Sequence, residues 1–302
     1  FYGITGASKG LTVDGGFQLS TNDATGLASL SVTGASTLAA NVTSTGTQSY
    51  DGTTTLSSGD RTLTASTVTL NAVTGGSNAL TVTGNLDLDG AVSGVTNMSV
   101  SGTSNIGSNV TTTGTQNYQG ATTLSGGDRT LQGSTITMAA VTGTGSHDLT
   151  VTGNLDLDGA VTDVVELDIT GTSNLGANIT TTGTQTYTGA TTLSDVNTLT
   201  TTNSNITFSD TVNSDGTARN LTINAGTGTT QFAGIVGGSS GVGDIDITGA
   251  LDLNAAITNA ASLSVSGTSN IGANVTTTGT QGYSGTTTLS GGDRTLQGST
   301  VT

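Results

Sequence analysis

Asp87-Leu88-Asp89-Gly90 and Asp156-Leu157-Asp158-Gly159 are the residues whose types and spacing come nearest to a metal site. Calcium takes carboxylate and carbonyl oxygens, and its loops often join Asp-x-Asp to a glycine turn. Two carboxylates per copy fall short of the six to eight oxygens such an ion takes. The third copy, Leu251-Asp252-Leu253-Asn254-Ala255, has lost one carboxylate and the glycine. Alternation gives a plainer reading, with leucines on one strand face and aspartates on the other, where charge keeps an exposed surface soluble. No cofactor is expected, and Asp87, Asp89, Asp156 and Asp158 are weak calcium candidates.

Other groups invite chemistry and point away from it. Asp60-Arg61, Asp128-Arg129 and Asp293-Arg294 recur at one place, which becomes Asp195-Val196-Asn197 in another copy. An arginine there could contact an anion, but a solvated turn pair worth about 0–1 kcal/mol explains the pattern as well. Tyr50, Tyr118, Tyr187 and Tyr283 each follow Gly-Thr-Gln-x, while their preceding neighbours Ser49, Asn117, Thr186 and Gly282 vary. Alternation turns the rings toward the restricted inner face, as core residues rather than sugar-stacking platforms. His147 is the one histidine, and no nucleophile–histidine–carboxylate set accompanies it. A polysaccharide lyase or glycosidase of solenoid form would need clustered basic groups or paired carboxylates in a groove. The sparse complement of five Lys and Arg makes a lyase the poorer reading. Threonine runs 53–55, 111–113, 180–182 and 276–278 suggest an ice-binding array but recur too sparsely; β-propensity accounts for them. No catalytic residue is expected, and the chain reads as a non-enzyme.

The elements that position these groups come from repetition. The stretch beginning at Thr111 returns almost unchanged at Thr276, with near-copies at Thr43 and Thr180. The positions of Tyr50, Tyr118, Tyr187 and Tyr283 make two nearly equal intervals and a third that is longer. The longer interval predicts one inserted coil, placed between Leu221 and Ile245. A shorter motif, apolar-x-Val/Ile-Ser/Thr-Gly, appears at Leu30–Gly34, Leu80–Gly84, Met98–Gly102 and onward. Its period-2 pattern marks half-buried strands, glycine follows them as a turn residue, and no segment shows helical spacing with caps. Short strands in steps of about 18–25 residues match the coils of a parallel β-helix, which buries its inner face only by stacking. The expected fold is all-β, a β-solenoid of about thirteen coils with three to each large unit. The long intervals between short motifs, such as Leu30 to Leu80, are read as two steps of about 25. Residues 1–28 are expected to form an irregular first coil, cap or assembly segment. Residues 29–302 form the repeats, with large units near 29–97, 98–166, 167–262 and 263–302. A hairpin sandwich is the competing architecture, but its two-residue Asn-Gly or Asp-Gly turns are sparse.

Composition bounds the partners. Apolar residues are 32%, aromatic 3% and charged 8%, which suits a narrow core and argues against a charge-rich disordered chain. Proline and cysteine are absent, so nothing interrupts a long ladder and no disulfide or thiolate site holds the chain. A net charge of −15 disfavours nucleic acid and anionic lipid. No apolar run approaches the roughly 20 residues needed to cross a bilayer, so no membrane insertion is expected. The sequence opens at Phe1 and stops at Thr302 in mid-repeat, which reads as a mature chain or a piece of a longer one.

Runs such as LSVTGASTLAANVTSTGTQSYDGTTTL and LTVTGNLDLDGAV resemble the repeat regions of filamentous-haemagglutinin-like adhesins and related autotransporter-type β-strand-repeat exoproteins of bacteria. The likeness extends from about Ser29 onward. It implies a right-handed parallel β-helix, secretion to the cell surface, and a role in adhesion or as a shaft. The partners it implies are neighbouring parts of a longer chain, identical subunits end to end, or a surface receptor of unknown identity. The family's Asn-Pro-bearing secretion domain has no counterpart in this proline-free chain. Nor is there an Arg-Gly-Asp tripeptide; Gly59-Asp60-Arg61 runs in a different order. A self-assembling filament or matrix subunit is the alternative function.

Overall fold

The computed structural model describes residues 1–302, the side chain of Ser146 apart. The chain is all-β, with no helix among the described residues. Its strand pairings are parallel, so the hairpin-sandwich reading fails. It forms a β-solenoid of about 16 turns, somewhat more than the thirteen expected. These fall into two compact units, Phe1–Thr144 and Gly145–Thr302.

In the first unit one turn runs through strand Val42–Ser44 and then through both arms, residues 48–50 and 54–56, of the bent strand Gln48–Leu56. The next turn places Leu63 on Val42, Val68 on Gln48 and Val73 on Thr54. Three short strand segments therefore make one turn. The shortest turns carry Leu80 to Met98, and the longer ones Gln48 to Val68 and Val42 to Leu63. Inner positions alternate with outer ones, as in Ser36–Leu38, whose ends are buried and whose middle is not. Leu30, Val32, Leu38, Leu70, Leu88 and Ile106 fill the interior at 0–1% exposure. Each such burial contributes roughly 1.5–3 kcal/mol, enough for a one-side-chain-wide core without tryptophan. Residues 1–28 belong to the stack. Strand Ile4–Val13 pairs with Ala24–Val32 through two register shifts, and Phe17 sits on Ser36.

The second unit continues the same design, with Leu167, Gln185, Ile206, Thr230, Leu251, Ser269 and Thr287 successive in one ladder. Two successive turns are wider, carrying the ladder from Asn197 to Leu221 and from Leu221 to Ile245. Beside them Tyr187, Phe208 and Phe232 stack with ring centroids 4.9 and 5.2 Å apart. Offset stacking of this kind adds about 0.5–1.5 kcal/mol per pair beyond area burial.

The large sequence repeat is not a whole number of turns. From Gln48 the ladder climbs through Val68, Leu86 and Ser104 to Thr122, four turns. Gln116, the counterpart of Gln48, lies one face before Thr122, on the other arm of the bent strand Gln116–Leu124, in the ladder of Leu80, Met98 and Ile136. One repeat is thus three turns and two thirds, not three, and equivalent residues move to the next face. From Gln185 the ladder reaches Thr287 in five turns, and Gln281 lies one strand before it. The long interval from Tyr187 to Tyr283 therefore holds one extra turn, as the sequence predicts. The interval from Leu30 to Leu80 proves to be two turns and two thirds, so its turns are shorter than the two equal steps expected.

Glycine sets the tightest corners. Gly84, Gly102 and Gly120 stack in successive turns, as do Gly249, Gly267 and Gly285. A Cβ on Gly102 would lie 2.6 Å from the Gly84 carbonyl, closer than packed atoms allow.

Candidate functional site

The four Gly-Thr-Gln-x-Tyr copies build one buried device. Gln116 is fully buried, and its Nε2 donates to the carbonyls of Val110 at 3.2 Å and Gln132 at 2.7 Å. Its Oε1 accepts the Tyr118 hydroxyl at 2.9 Å. Thr112 closes the corner by donating to the Gly114 carbonyl. Gln48–Tyr50, Gln185–Tyr187 and Gln281–Tyr283 repeat the arrangement at 2.9–3.1 Å. Burial pushes the Tyr50, Tyr118 and Tyr187 phenols far above their ordinary pKa, and the half-buried Tyr283 up to about 12. These rings are core, as alternation predicts, and offer no surface for stacking a sugar.

The arginines differ from the solvated pairs expected of them. Arg61 and Arg129 are 8% exposed. Arg129 folds back over its turn and donates from Nε and Nη2 to the Ser125 carbonyl, and Arg61 Nε reaches the Ser57 carbonyl in the same way. Desolvation pulls the Arg129 pKa down, and Asp128 opposes it. Asp60 accepts the backbone N–H of Ala79 in the following turn at 2.8 Å. Where Asn197 replaces the arginine, its amide reaches the Ala177 carbonyl instead.

Outward asparagines form a system that sequence reasoning missed. Oδ1 of Asn41, Asn97, Asn109, Asn178, Asn205 and Asn274 accepts the backbone N–H of a residue 18–24 positions on, at 2.8–2.9 Å. Each satisfies an amide at a corner where the strand ladder is interrupted. Their regular recurrence immediately before an apolar strand residue was the available signal.

The calcium candidates occupy similar ladders. Asp87 accepts the Asn105 amide at 2.8 Å and Asp156 the Asn174 amide at 2.7 Å, each from the next turn. Asp89 and Asp158 lie beyond the strand ends and are exposed. Among the described residues no three His, Cys, Asp or Glu side chains gather as metal ligands. His147 lies in the strand Arg129–Leu157.

The third member of this series is different. Asp252 Oδ1 accepts Asn270 at 2.8 Å, while Oδ2 accepts Gln231 at 2.9 Å and Asn254 at 3.1 Å. Burial would raise its pKa, but the three amides together hold it below the usual carboxylate value. A groove of about 410 Å³ opens beside it. No family model matches this sequence, and neither a curated protein nor a solved structure is significantly similar to it.

Proposed function

We propose that this chain is a structural and adhesive repeat segment of a secreted bacterial surface protein, a stiff β-solenoid shaft for attachment or display. One observation carries the reading: polar side chains with chemical capacity are bonded within their own turn or to a neighbouring one. The Gln–Tyr corners, arginine clasps, asparagine caps and Asp–Asn ladders all hold the coil together. Such a stack has stability roughly additive in its turns and their interfaces, which suits a mechanical spacer. The resemblance to filamentous-haemagglutinin-like exoproteins supports secretion, and the −15 charge supports partners other than nucleic acid or anionic membrane.

The test is location and loss. Antibodies against this chain should label the outside of intact producing cells, and deleting its coding segment should reduce their attachment to surfaces. Labelling confined to the cell interior would overturn the proposal. A self-assembling filament or matrix subunit is the second reading, since each turn of such a stack buries its inner face against neighbouring turns. Regular polymers of the purified chain in electron micrographs would support it over a shaft.

A further inference from the structure

The groove beside Asp252 exists because one corner side chain is missing. Asn85 and Asn154 follow Gly84 and Gly153, and their Oδ1 atoms cap the N–H groups of Thr103 and Thr172 at 3.0 and 2.9 Å. After Gly249 the chain has Ala250. Alanine has no side-chain oxygen, so the corresponding Thr268 N–H lacks that cap and the volume the amide would fill is open. The groove is lined by Thr229, Ala250, Asp252, Thr268, Asn270 and Thr288.

Its chemistry is specific in kind. A carboxylate offers about four lone-pair positions. Amides occupy three on Asp252, leaving one directed by a fixed, hydrogen-bonded group. Around it stand threonine hydroxyls, which both donate and accept, and the Thr268 N–H, which donates. Alternating donors and acceptors around one acceptor suit a ligand with vicinal hydroxyl groups. An anion would meet Asp252 and the net charge of −15. A metal ion would find one carboxylate whose oxygens already hold amides. The volume lies within the roughly 300–1,000 Å³ of small-molecule sites. We propose that this groove is a binding subsite for a neutral saccharide of one or two rings. Its use in attachment rests on the adhesive reading; the binding itself does not.

The test is titration of the whole chain with maltose, lactose and cellobiose, each to about 10 mM, a range that detects weak millimolar binding. The backbone amides of Thr268 and Asn270 are followed by NMR. At least one sugar should give saturable shifts there. Asp252→Asn should weaken that binding about tenfold, the loss of about 1.4 kcal/mol. Ala250→Asn should restore the cap, fill the groove and abolish the shifts, with a melting temperature equal to or above the parent's. Absence of saturable shifts with all three sugars would overturn the proposal, as would binding that survives Ala250→Asn in a folded chain. Saccharide binding by a chain that does not promote attachment would leave the groove standing and remove the adhesive reading.

Discussion

Residues 111–135 and 276–300 are nearly the same sequence in two different settings. In the first, Leu124 and Leu131 are fully buried, as is Ile136 just beyond, and strands run from Gln116 to Leu124 and from Arg129 onward. In the second, Leu289 is 57% exposed and Val301, the counterpart of Ile136, 43%. The strands there shrink to Thr280–Tyr283, Thr287–Leu289, Leu296–Gln297 and Thr300–Val301. The local instructions are shared; what buries the first copy is the turn stacked on it, where Met138 and Val141 pair with Tyr118 and Thr122. A turn of this solenoid acquires its core from its neighbours, and the Gln–Tyr bond that survives in both copies is made within one corner.

Paired substitutions break the comparison at graded strengths. Gln116→Ala should have the largest effect, a loss of about 3–5 kcal/mol in urea unfolding. It leaves a cavity, a phenol without its acceptor and two carbonyls without their donor. Gln281→Ala should cost less, because water reaches the half-buried Tyr283. Leu124→Ala should follow at about 3 kcal/mol. Its counterpart Leu289→Ala should stay within about 0.5 kcal/mol; equal losses at the two leucines would show that Leu289 is covered in solution.

Alkaline titration compares the same pair without mutation. An unfolded tyrosine ionises near pH 10, whereas burial keeps the folded phenol neutral. The unfolded state therefore binds fewer protons above about pH 10, and stability present below that pH falls as pH rises. For a ring as buried as Tyr118 the slope approaches about 1.4 kcal/mol per pH unit. Among the four glutamine-bonded rings, tyrosinate absorbance should report Tyr283 first, at about pH 12 in the folded chain, with Tyr118 ionising only on unfolding. Simultaneous ionisation of both rings in a folded chain would contradict the burial difference. The smallest effect sharpens what the copies share. Asn109 and Asn274 each cap the next turn at 2.9 Å, so alanine at either should cost about 1 kcal/mol, equally.

Much of this architecture was legible in the residues. Apolar–polar alternation in Asn85-Leu86-Asp87-Leu88 assigns the inner and outer faces, and the fixed Tyr between variable neighbours assigns the ring to the core. The turn length was also present, in the equal spacing of Gly84, Gly102 and Gly120. The more conspicuous tyrosine interval hid it, because it is not a whole number of turns. The asparagine caps and the Asp–Asn ladders join residues in successive turns, so they become visible only once register is known. Arg129 has the sequence of a solvated turn residue, and only the fold-back onto Ser125 buries it. The groove at Ala250 was the least legible, since it arises from an amide that is not there.

A repeat of three turns and two thirds has a consequence for how such a chain can lengthen. Duplicating one block, from Gln48 to Gln116, returns the chain to the stack one face away from where it left. That is harmless only if the faces accept the same inward pattern, and here they do: the Gln–Tyr corner fits wherever it lands. The smallest increment of growth is then one strand, and recombination between copies needs no reading frame beyond the inside–outside alternation of a single strand.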